Sequence, residues 1–160
     1  MHVVRHILLL ILVFVLQTTW AHIFELFALK PDLILLVLVY IALRTGQIEA
    51  TILGFCVGFF QDIHMPNDLG LNALTKSLVG FSVGYGRTGV VADSVQVQVA
   101  LIFGAVLVHD LIYYLGSSGI GLADVPFFWL RYGLGRALYT CAFGALVSSA
   151  LVLRRRVFPT

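Results

Sequence analysis

Six apolar segments divide this chain, and they leave few residues that could face water. Hydrophobic residues make up 60% of the 160 residues and charged residues only 11%, whereas a soluble domain carries about 25% charged residues. Polar side chains are therefore too few to cover a water-facing surface. The pattern predicts one domain, residues 1–160, that is an all-α integral membrane protein. Its six transmembrane helices form a bundle with approximate spans 7–24, 32–44, 48–62, 69–86, 95–115 and 135–153.

The four middle segments are short or contain charged residues. The apolar run 33–43 is about 17 Å long as a helix, which is less than a bilayer requires. Lys76 lies inside the fourth segment, and His109 and Asp110 lie inside the fifth. Charged side chains are costly in lipid, so we expect inner helices whose polar residues face the bundle. A five-span alternative, in which the second and third segments form a re-entrant hairpin, stays open.

Basic residues predict the orientation of the chain. With six spans and the N-terminus inside, the cytoplasmic side receives Arg5, Arg44, Arg87 and the triplet Arg154, Arg155 and Arg156. The opposite side receives Lys30, Arg131 and Arg136. Because cytoplasmic loops carry the excess of Lys and Arg, both termini are predicted to be cytoplasmic. The triplet is expected to lie at the membrane surface among lipid headgroups.

Three helices carry stripes of small and polar residues at helical spacing. They are Thr51, Gly54, Gly58 and Asp62; Asn72, Lys76, Gly80 and Gly84; and Arg136, Thr140, Gly144 and Ser148. Glycines at this spacing let helices approach closely, and polar groups can then bond across the contact. Lys76 needs a partner, for which Asp62 is the natural candidate and Asp68 the second. His109 and Asp110 are adjacent on a helix and are expected to contact different neighbours.

Catalytic and nucleic-acid-binding patterns are missing from the sequence. No HExxH, GxSxG or Walker A motif occurs, so we expect no enzyme activity, no cofactor and no metal. A metal site at His64 with Asp62 and Asp68 is the least favoured interpretation. No basic stripe with interleaved aromatic residues predicts nucleic-acid binding. A solute-binding transport subunit is the alternative function, with a pocket lined by Asp62, Asn72, Lys76, His109 and Asp110.

The region Pro31–Phe81 resembles the rod shape-determining protein MreD family. The likeness rests on Pro31-Asp32-Leu33, on Gly54-Phe55 with Gly58, on Asp62, and on Leu69–Leu74 with Gly70 and Asn72. It implies a non-enzymatic scaffold of lateral wall elongation in the bacterial inner membrane. The implied partners are the transmembrane helix of MreC, MreB, and RodA with its transpeptidase. The family is also similar in fold to the substrate-binding subunits of energy-coupling-factor vitamin transporters, a likeness that carries no ligand with it.

Twelve residues combine these signals as structural or partner-binding candidates. They are Pro31, Asp32, Gly54, Gly58, Asp62, Asp68, Gly70, Asn72, Lys76, Gly80, His109 and Asp110. The sequence leaves open which helix face binds the partner and whether the chain forms a homodimer. It also leaves open whether a lipid or another ligand occupies the polar side of the bundle.

Overall fold

The computed structural model describes residues 2–20, 30–64, 66–89 and 94–157, and every regular element in these ranges is helical. A short helix, Val125–Phe128, continues through a π-helical turn, Trp129–Gly133, into the last helix. Two 3-10 turns cover Pro66–Asp68 and Arg87–Gly89. The α-helices are α1 (His2–Trp20), α2 (Leu33–Thr45), α3 (Gln47–Asp62), α4 (Leu71–Gly86), α5 (Val95–Gly116), α6 (Val125–Phe128) and α7 (Leu134–Val157).

Helix α2 forms the centre of the bundle. It packs against α1, α3, α4, α5 and α7, and Ile34, Leu35 and Leu38 on its successive faces are fully buried. A helix that is apolar on nearly every side must be surrounded by other helices. Asp32 begins the helix by accepting a hydrogen bond from the backbone N–H of Leu35 at 2.8 Å. The short apolar run 33–43 is therefore part of the core helix of the bundle.

A single residue, Gly46, joins α2 to α3. Its φ of +96° lies in the left-handed region, which favours glycine because it lacks a Cβ atom. The Arg87 guanidinium lies beside Gly46 and donates from Nη1 to the carbonyl of Arg44 at 2.9 Å. This bond satisfies a carbonyl that the end of α2 leaves open. Gly46 and Arg87 together fix the tight α2–α3 hairpin.

Helices α3 and α4 are antiparallel and touch backbone to backbone. A Cβ atom on Gly54 would lie 2.6 Å from the carbonyl oxygen of Lys76, and one on Gly80 would lie 2.5 Å from that of Ala50. Gly58 faces the carbonyl of Asn72 in the same way. The two glycine stripes thus lie against each other, in the close packing that their spacing predicts.

Helix α1 is held at both ends by polar contacts. His6 Nδ1 lies 2.7 Å from Glu49 Oε1 of α3, and Gln17 Oε1 accepts from the N–H of Ile34 at 3.1 Å. Leu10 is buried between these contacts. The pairings place α1 antiparallel to α2 and parallel to α3. Its other face carries exposed apolar side chains, among them Val4, Leu8 and Leu12.

One helix in the described part of the chain, Val95–Gly116, is long and apolar enough by itself to cross a membrane. The apolar helices Val3–Thr19 and Leu33–Thr45 are shorter. Residues 21–24 of the predicted first span lie outside the described residues. The helices begin and end close to the six apolar segments, with α6 and the π-helical turn leading into the last one.

Candidate functional site

Five ionisable side chains meet inside one end of the bundle, where α2, α4 and α7 begin and α5 nears its end. Four of them are almost inaccessible, with Asp32 0% exposed and Lys76, His109 and Asp110 each 1% exposed. The fifth is Arg136, whose side chain keeps 28% of its surface exposed. We call Asp32, Lys76, His109, Asp110 and Arg136 the charge ring, because each of them contacts the next.

The contacts of the charge ring close on themselves. Lys76 Nζ lies 3.0 Å from His109 Nε2 and 3.7 Å from Asp32 Oδ2. Arg136 Nη2 donates to Asp32 Oδ2 at 2.9 Å, and Arg136 Nη1 lies 3.2 Å from Asp110 Oδ1. His109 Nδ1 completes the ring at 2.9 Å from Asp110 Oδ1. The charges of the Asp32 and Asp110 carboxylates compensate those of Lys76 and Arg136 around the imidazole of His109. These contacts join α2, α4, α5 and α7.

His109 and Asp110 bond each other as well as different neighbours. The sequence predicts different partners for these adjacent residues, and His109 does contact Lys76 while Asp110 contacts Arg136. The additional contact joins His109 Nδ1 to Asp110 Oδ1 at 2.9 Å. The two side chains therefore act as one unit that links α4 to α7.

Asp62 caps α4 instead of pairing with Lys76. This fully buried carboxylate accepts from the N–H groups of Gly70, Asn72 and Ala73 at 2.9–3.1 Å. These are orphan donors at a helix N-terminus, where a negative charge is also favourable. The predicted Asp62–Lys76 ion pair is wrong. Lys76 lies one turn further along α4 than Asn72, where it contacts Asp32 at the start of α2 and His109 of α5. The carboxylate nearest to its ammonium group is that of Asp32.

Asn72 connects the cap to the charge ring. Its Nδ2 donates to Asp62 Oδ1 at 2.9 Å, and its Oδ1 accepts from Lys76 Nζ at 3.2 Å. An amide is the side chain that offers a donor and an acceptor side by side. Asn72 thus satisfies the carboxylate of Asp62 with one end and the ammonium of Lys76 with the other.

Asp68, the second predicted partner of Lys76, instead ties the α3–α4 turn to the end of α5. It accepts from the N–H and Oγ of Ser118 at 3.0 and 3.1 Å and from Ser117 Oγ at 3.0 Å. The backbone N–H of Ser118 and, after it, the hydroxyl groups of Ser117, Ser118 and Tyr113 lower the pKa of this half-buried carboxyl group. Gly70 in the same turn has φ +98°, and a Cβ there would meet nothing within 4 Å. Backbone conformation is therefore what favours glycine at this position.

Arg136 and Thr140 belong to the site although neither is among the twelve sequence candidates. Thr140 Oγ1 accepts from the N–H of Asp32 at 3.1 Å, one turn along α7 from Arg136. The π-helical turn precedes them, and its Trp129 donates from Nε1 to the carbonyl of Leu107 on α5 at 2.9 Å. The available sequence signal was the stripe that begins at Arg136. It predicted close helix packing and not the ion pairs.

The structure does not support a metal site at His64 with Asp62 and Asp68, and it does not describe the side chains of the arginine triplet. The described ranges contain no group of three or more His, Cys, Asp or Glu residues arranged to hold a metal ion. His64 is exposed and its Nδ1 lies 3.1 Å from the carbonyl of Phe60. The backbone of α7 includes Arg154, Arg155 and Arg156, but their side chains lie outside the described part. Pro31 is buried immediately before Asp32.

Comparison with protein families identifies the family of the chain. The family described as rod shape-determining protein MreD matches residues 1–118. The chain belongs to the MreD family. The MreD family consists of shape-determining membrane proteins and is not a known enzyme family, which implies a role in rod-shape determination. No curated protein and no solved structure matched the chain, so the expected likeness to energy-coupling-factor subunits has no support.

The MreD match covers most of the candidate site. Four members of the charge ring, Asp32, Lys76, His109 and Asp110, lie within residues 1–118, whereas Arg136 lies beyond the matched range. The arrangement in this MreD-family chain is chemically suited to joining helices. Its ion pairs and hydrogen bonds are made between side chains of the same chain, with two buried ring atoms, Asp110 Oδ2 and Arg136 Nε, left unpartnered.

Proposed function

We propose that this MreD-family chain is a non-enzymatic membrane scaffold of the bacterial lateral wall-elongation complex. It binds the transmembrane helix of MreC and organises MreB and RodA with its transpeptidase around that contact. The observation that carries the proposal is the closed charge ring. Its side chains bond one another and join four helices, so the interior serves packing and the outer helix faces remain for partners.

The proposed membrane arrangement has six spans, with α6, the π-helical turn and α7 together forming the last one. Successive helices alternate in direction, as the α1–α2, α3–α4 and α4–α5 contacts indicate. The end of the bundle opposite the charge ring carries Arg5, Arg44 and Arg87, which favours its placement in the cytoplasm. Both termini then lie at the cytoplasmic side of the inner membrane.

Exposed apolar faces support contact with lipid or with partner helices. Phe60, Leu138 and Leu146, on α3 and α7, each expose more than half of their surface, which would be unfavourable in water.

Helix α2 is only about 20 Å long at 1.5 Å per residue, which is shorter than the hydrocarbon layer of a bilayer. Neighbouring helices bury α2, so this helix does not itself have to match the thickness of the lipid.

A solute-binding role finds less support from the same residues. The pocket proposed for it consists of Asp62, Asn72, Lys76, His109 and Asp110. These side chains bond each other or the N-terminus of α4. A polar solute would have to replace several of these buried bonds, at a cost of about 1–3 kcal/mol for each group left unsatisfied.

Co-purification from detergent-solubilised cells tests the scaffold. The tagged chain is expected to retain MreC, and its depletion is expected to abolish rod shape. Lys76→Met, which opens the charge ring, should reduce MreC recovery at equal expression, whereas Asp124→Ala at an exposed loop residue should not. Recovery of the chain with a stoichiometric small solute, without MreC and with rod shape intact after depletion, would overturn the proposal.

A further inference from the structure

The helices around α2 leave one of its sides partly open. Steps of four, three and four residues place the positions that are not buried on a single side of the helix, ahead of Thr45 at its end. Buried side chains border both edges of this side; they are Ile34, Leu36, Ile41 and Leu43. We call the partly open side the open strip, and its residues are Leu33, Val37, Tyr40 and Arg44.

Tyr40 and Arg44 form the polar end of the open strip. The guanidinium carbon of Arg44 lies 4.5 Å from the centroid of the Tyr40 ring. Within the part of the chain that the structure describes, neither the Tyr40 hydroxyl nor the Arg44 guanidinium has a hydrogen-bond or ion-pair partner. A phenol supplies one O–H donor and a guanidinium five N–H donors. This end of the strip therefore offers donors to an acceptor from outside the chain.

The charges at this end of α2 favour an acceptor that is negatively charged. A second guanidinium is present, because Arg87 Nη1 donates to the carbonyl oxygen of Arg44 at 2.9 Å. In the described ranges, neither arginine forms a salt bridge with an acidic side chain. Glu49, in the first turn of α3, is engaged by His6, whose Nδ1 lies 2.7 Å from its Oε1. The positive charge of the two arginines is thus available to attract an anion.

The dimensions of the open strip match a single hydrocarbon chain. From Leu33 to Arg44 the strip is about 17 Å long at 1.5 Å per residue, which is close to half of the roughly 30 Å hydrocarbon core of a bilayer. It is one side chain wide, since the positions along both edges are buried. A transmembrane helix is about 10–12 Å in diameter with its side chains and needs a wider contact. The strip therefore fits one acyl chain of one leaflet better than a partner helix.

We propose that the open strip binds an anionic phospholipid of the cytoplasmic leaflet. The phosphate oxygens accept hydrogen bonds from the Arg44 guanidinium and the Tyr40 hydroxyl, and one acyl chain lies along Val37 and Leu33. The two arginines favour a headgroup with a net negative charge, such as phosphatidylglycerol, over a zwitterionic headgroup. The choice of leaflet rests on the proposed orientation of the chain, whereas the lipid site itself does not depend on MreC.

Native mass spectrometry of the purified full chain tests the headgroup contacts, with phosphatidylglycerol or phosphatidylcholine added to the detergent. Phosphatidylglycerol is expected to bind more tightly than phosphatidylcholine. Arg44→Gln should weaken phosphatidylglycerol binding about tenfold through the loss of a charge-assisted hydrogen bond, and Tyr40→Phe about threefold. Arg131→Gln is the matched control, because Arg131 also lies over aromatic rings, those of Phe127 and Tyr132, and it should bind the lipid as the unsubstituted chain does.

A second pair of variants tests the position of the acyl chain. Val37→Trp leaves both headgroup donors in place but fills the open strip with an indole ring. It should weaken phosphatidylglycerol binding about threefold or more, because the displaced chain loses its van der Waals contacts. Val108→Trp, at an exposed apolar position on α5, should leave the affinity unchanged. Unchanged affinity in Val37→Trp would overturn the placement of the lipid along α2.

Three further results would contradict the lipid site. They are equal affinities for the two lipids, unchanged affinity in Arg44→Gln, and an equal loss in Arg131→Gln, which would indicate unspecific attraction to basic residues. If Arg44→Gln does not fold, Tyr40→Phe, which keeps the aromatic ring, replaces it, and unchanged affinity in that variant would contradict the site. These measurements are made without MreC, so their failure leaves the scaffold proposal intact. Loss of MreC recovery in Arg44→Gln with unchanged lipid affinity would assign the strip to a partner helix instead.

Discussion

Lys76 Nζ lies 3.0 Å from Nε2 of His109, and this contact joins α4 to α5 across the interior of the bundle. The ammonium group cannot accept a hydrogen bond, so the imidazole accepts and its Nδ1–H is left for Asp110. One lysine thereby fixes the tautomer of a histidine and, through it, the position of a carboxylate. The stability of the ring depends on all of its members together.

Removing the charge of Lys76 should destabilise the protein strongly. Lys76→Met leaves His109 Nε2 and Asn72 Oδ1 without the donor that they contact, and it removes one of the two cations that compensate Asp32. We therefore expect the free energy of unfolding to fall by about 3–5 kcal/mol. A double-mutant cycle with Asp32→Asn should show strong coupling, because the two side chains contact each other. The same cycle with Asp62→Asn should be closer to additive. Unfolding in mixed micelles measures both cycles, and stronger coupling to Asp62 would contradict the ring.

Asp62 should stabilise the protein through its hydrogen bonds to the N-terminus of α4. Asp62→Ala removes the acceptor of three backbone N–H groups and of Asn72 Nδ2. A loss of about 1–3 kcal/mol is expected from the unsatisfied donors, with increased hydrogen exchange at Gly70, Asn72 and Ala73. Asp124→Ala, at an exposed residue without a side-chain capping bond, should stay within about 0.5 kcal/mol. The sequence also predicts that Asp93→Ala is nearly silent, and Asp93 lies outside the described residues.

The glycines of α3 should not tolerate a methyl group. Gly54→Ala would push a Cβ against the backbone of α4 at Lys76, where no flexible side chain can move away, and we expect a loss of about 1–3 kcal/mol. Gly104→Ala on α5 is the matched control, because a Cβ there meets nothing within 4 Å. It should be neutral or stabilising by up to about 1 kcal/mol. Thermal unfolding measures the stability of the two variants. Equal melting temperatures for Gly54→Ala and Gly104→Ala would contradict the backbone contact at Gly54.

Asp68 should make stability depend on pH in the acidic range. The N–H of Ser118 and the hydroxyls of Ser117, Ser118 and Tyr113 lower its pKa in the folded protein. Its contribution is therefore fully present above the unfolded pKa of about 3.9 and is lost as pH falls through the lower folded value. Asp68→Asn should remove this part of the pH dependence. Melting temperatures measured across the acidic pH range test this prediction. If the melting temperature depends on pH in the same way in the unsubstituted protein and in Asp68→Asn, Asp68 makes no such contribution.

Much of the candidate site follows from helical spacing. Gly54, Gly58 and Gly80 are recognisable because a glycine every fourth residue produces one small face, and the two small faces meet in the structure. Asp62 and Asn72 are recognisable as polar ends of those faces. Their partners are harder to predict, since Asp62 binds backbone N–H groups that carry no residue-specific signal.

The sequence by itself determined which segments are helices, which faces are small or polar, and that buried charges must be compensated. It did so because these properties depend on neighbours within one or two turns. Only the tertiary structure decided that Lys76 joins Asp32 and His109, and that Arg136 closes the ring. Those pairings depend on the depth and rotation of α2, α5 and α7 around α4. Packing of whole helices sets these quantities, and ion pairs act over a few ångströms, so no spacing along the chain specifies which charge is nearest.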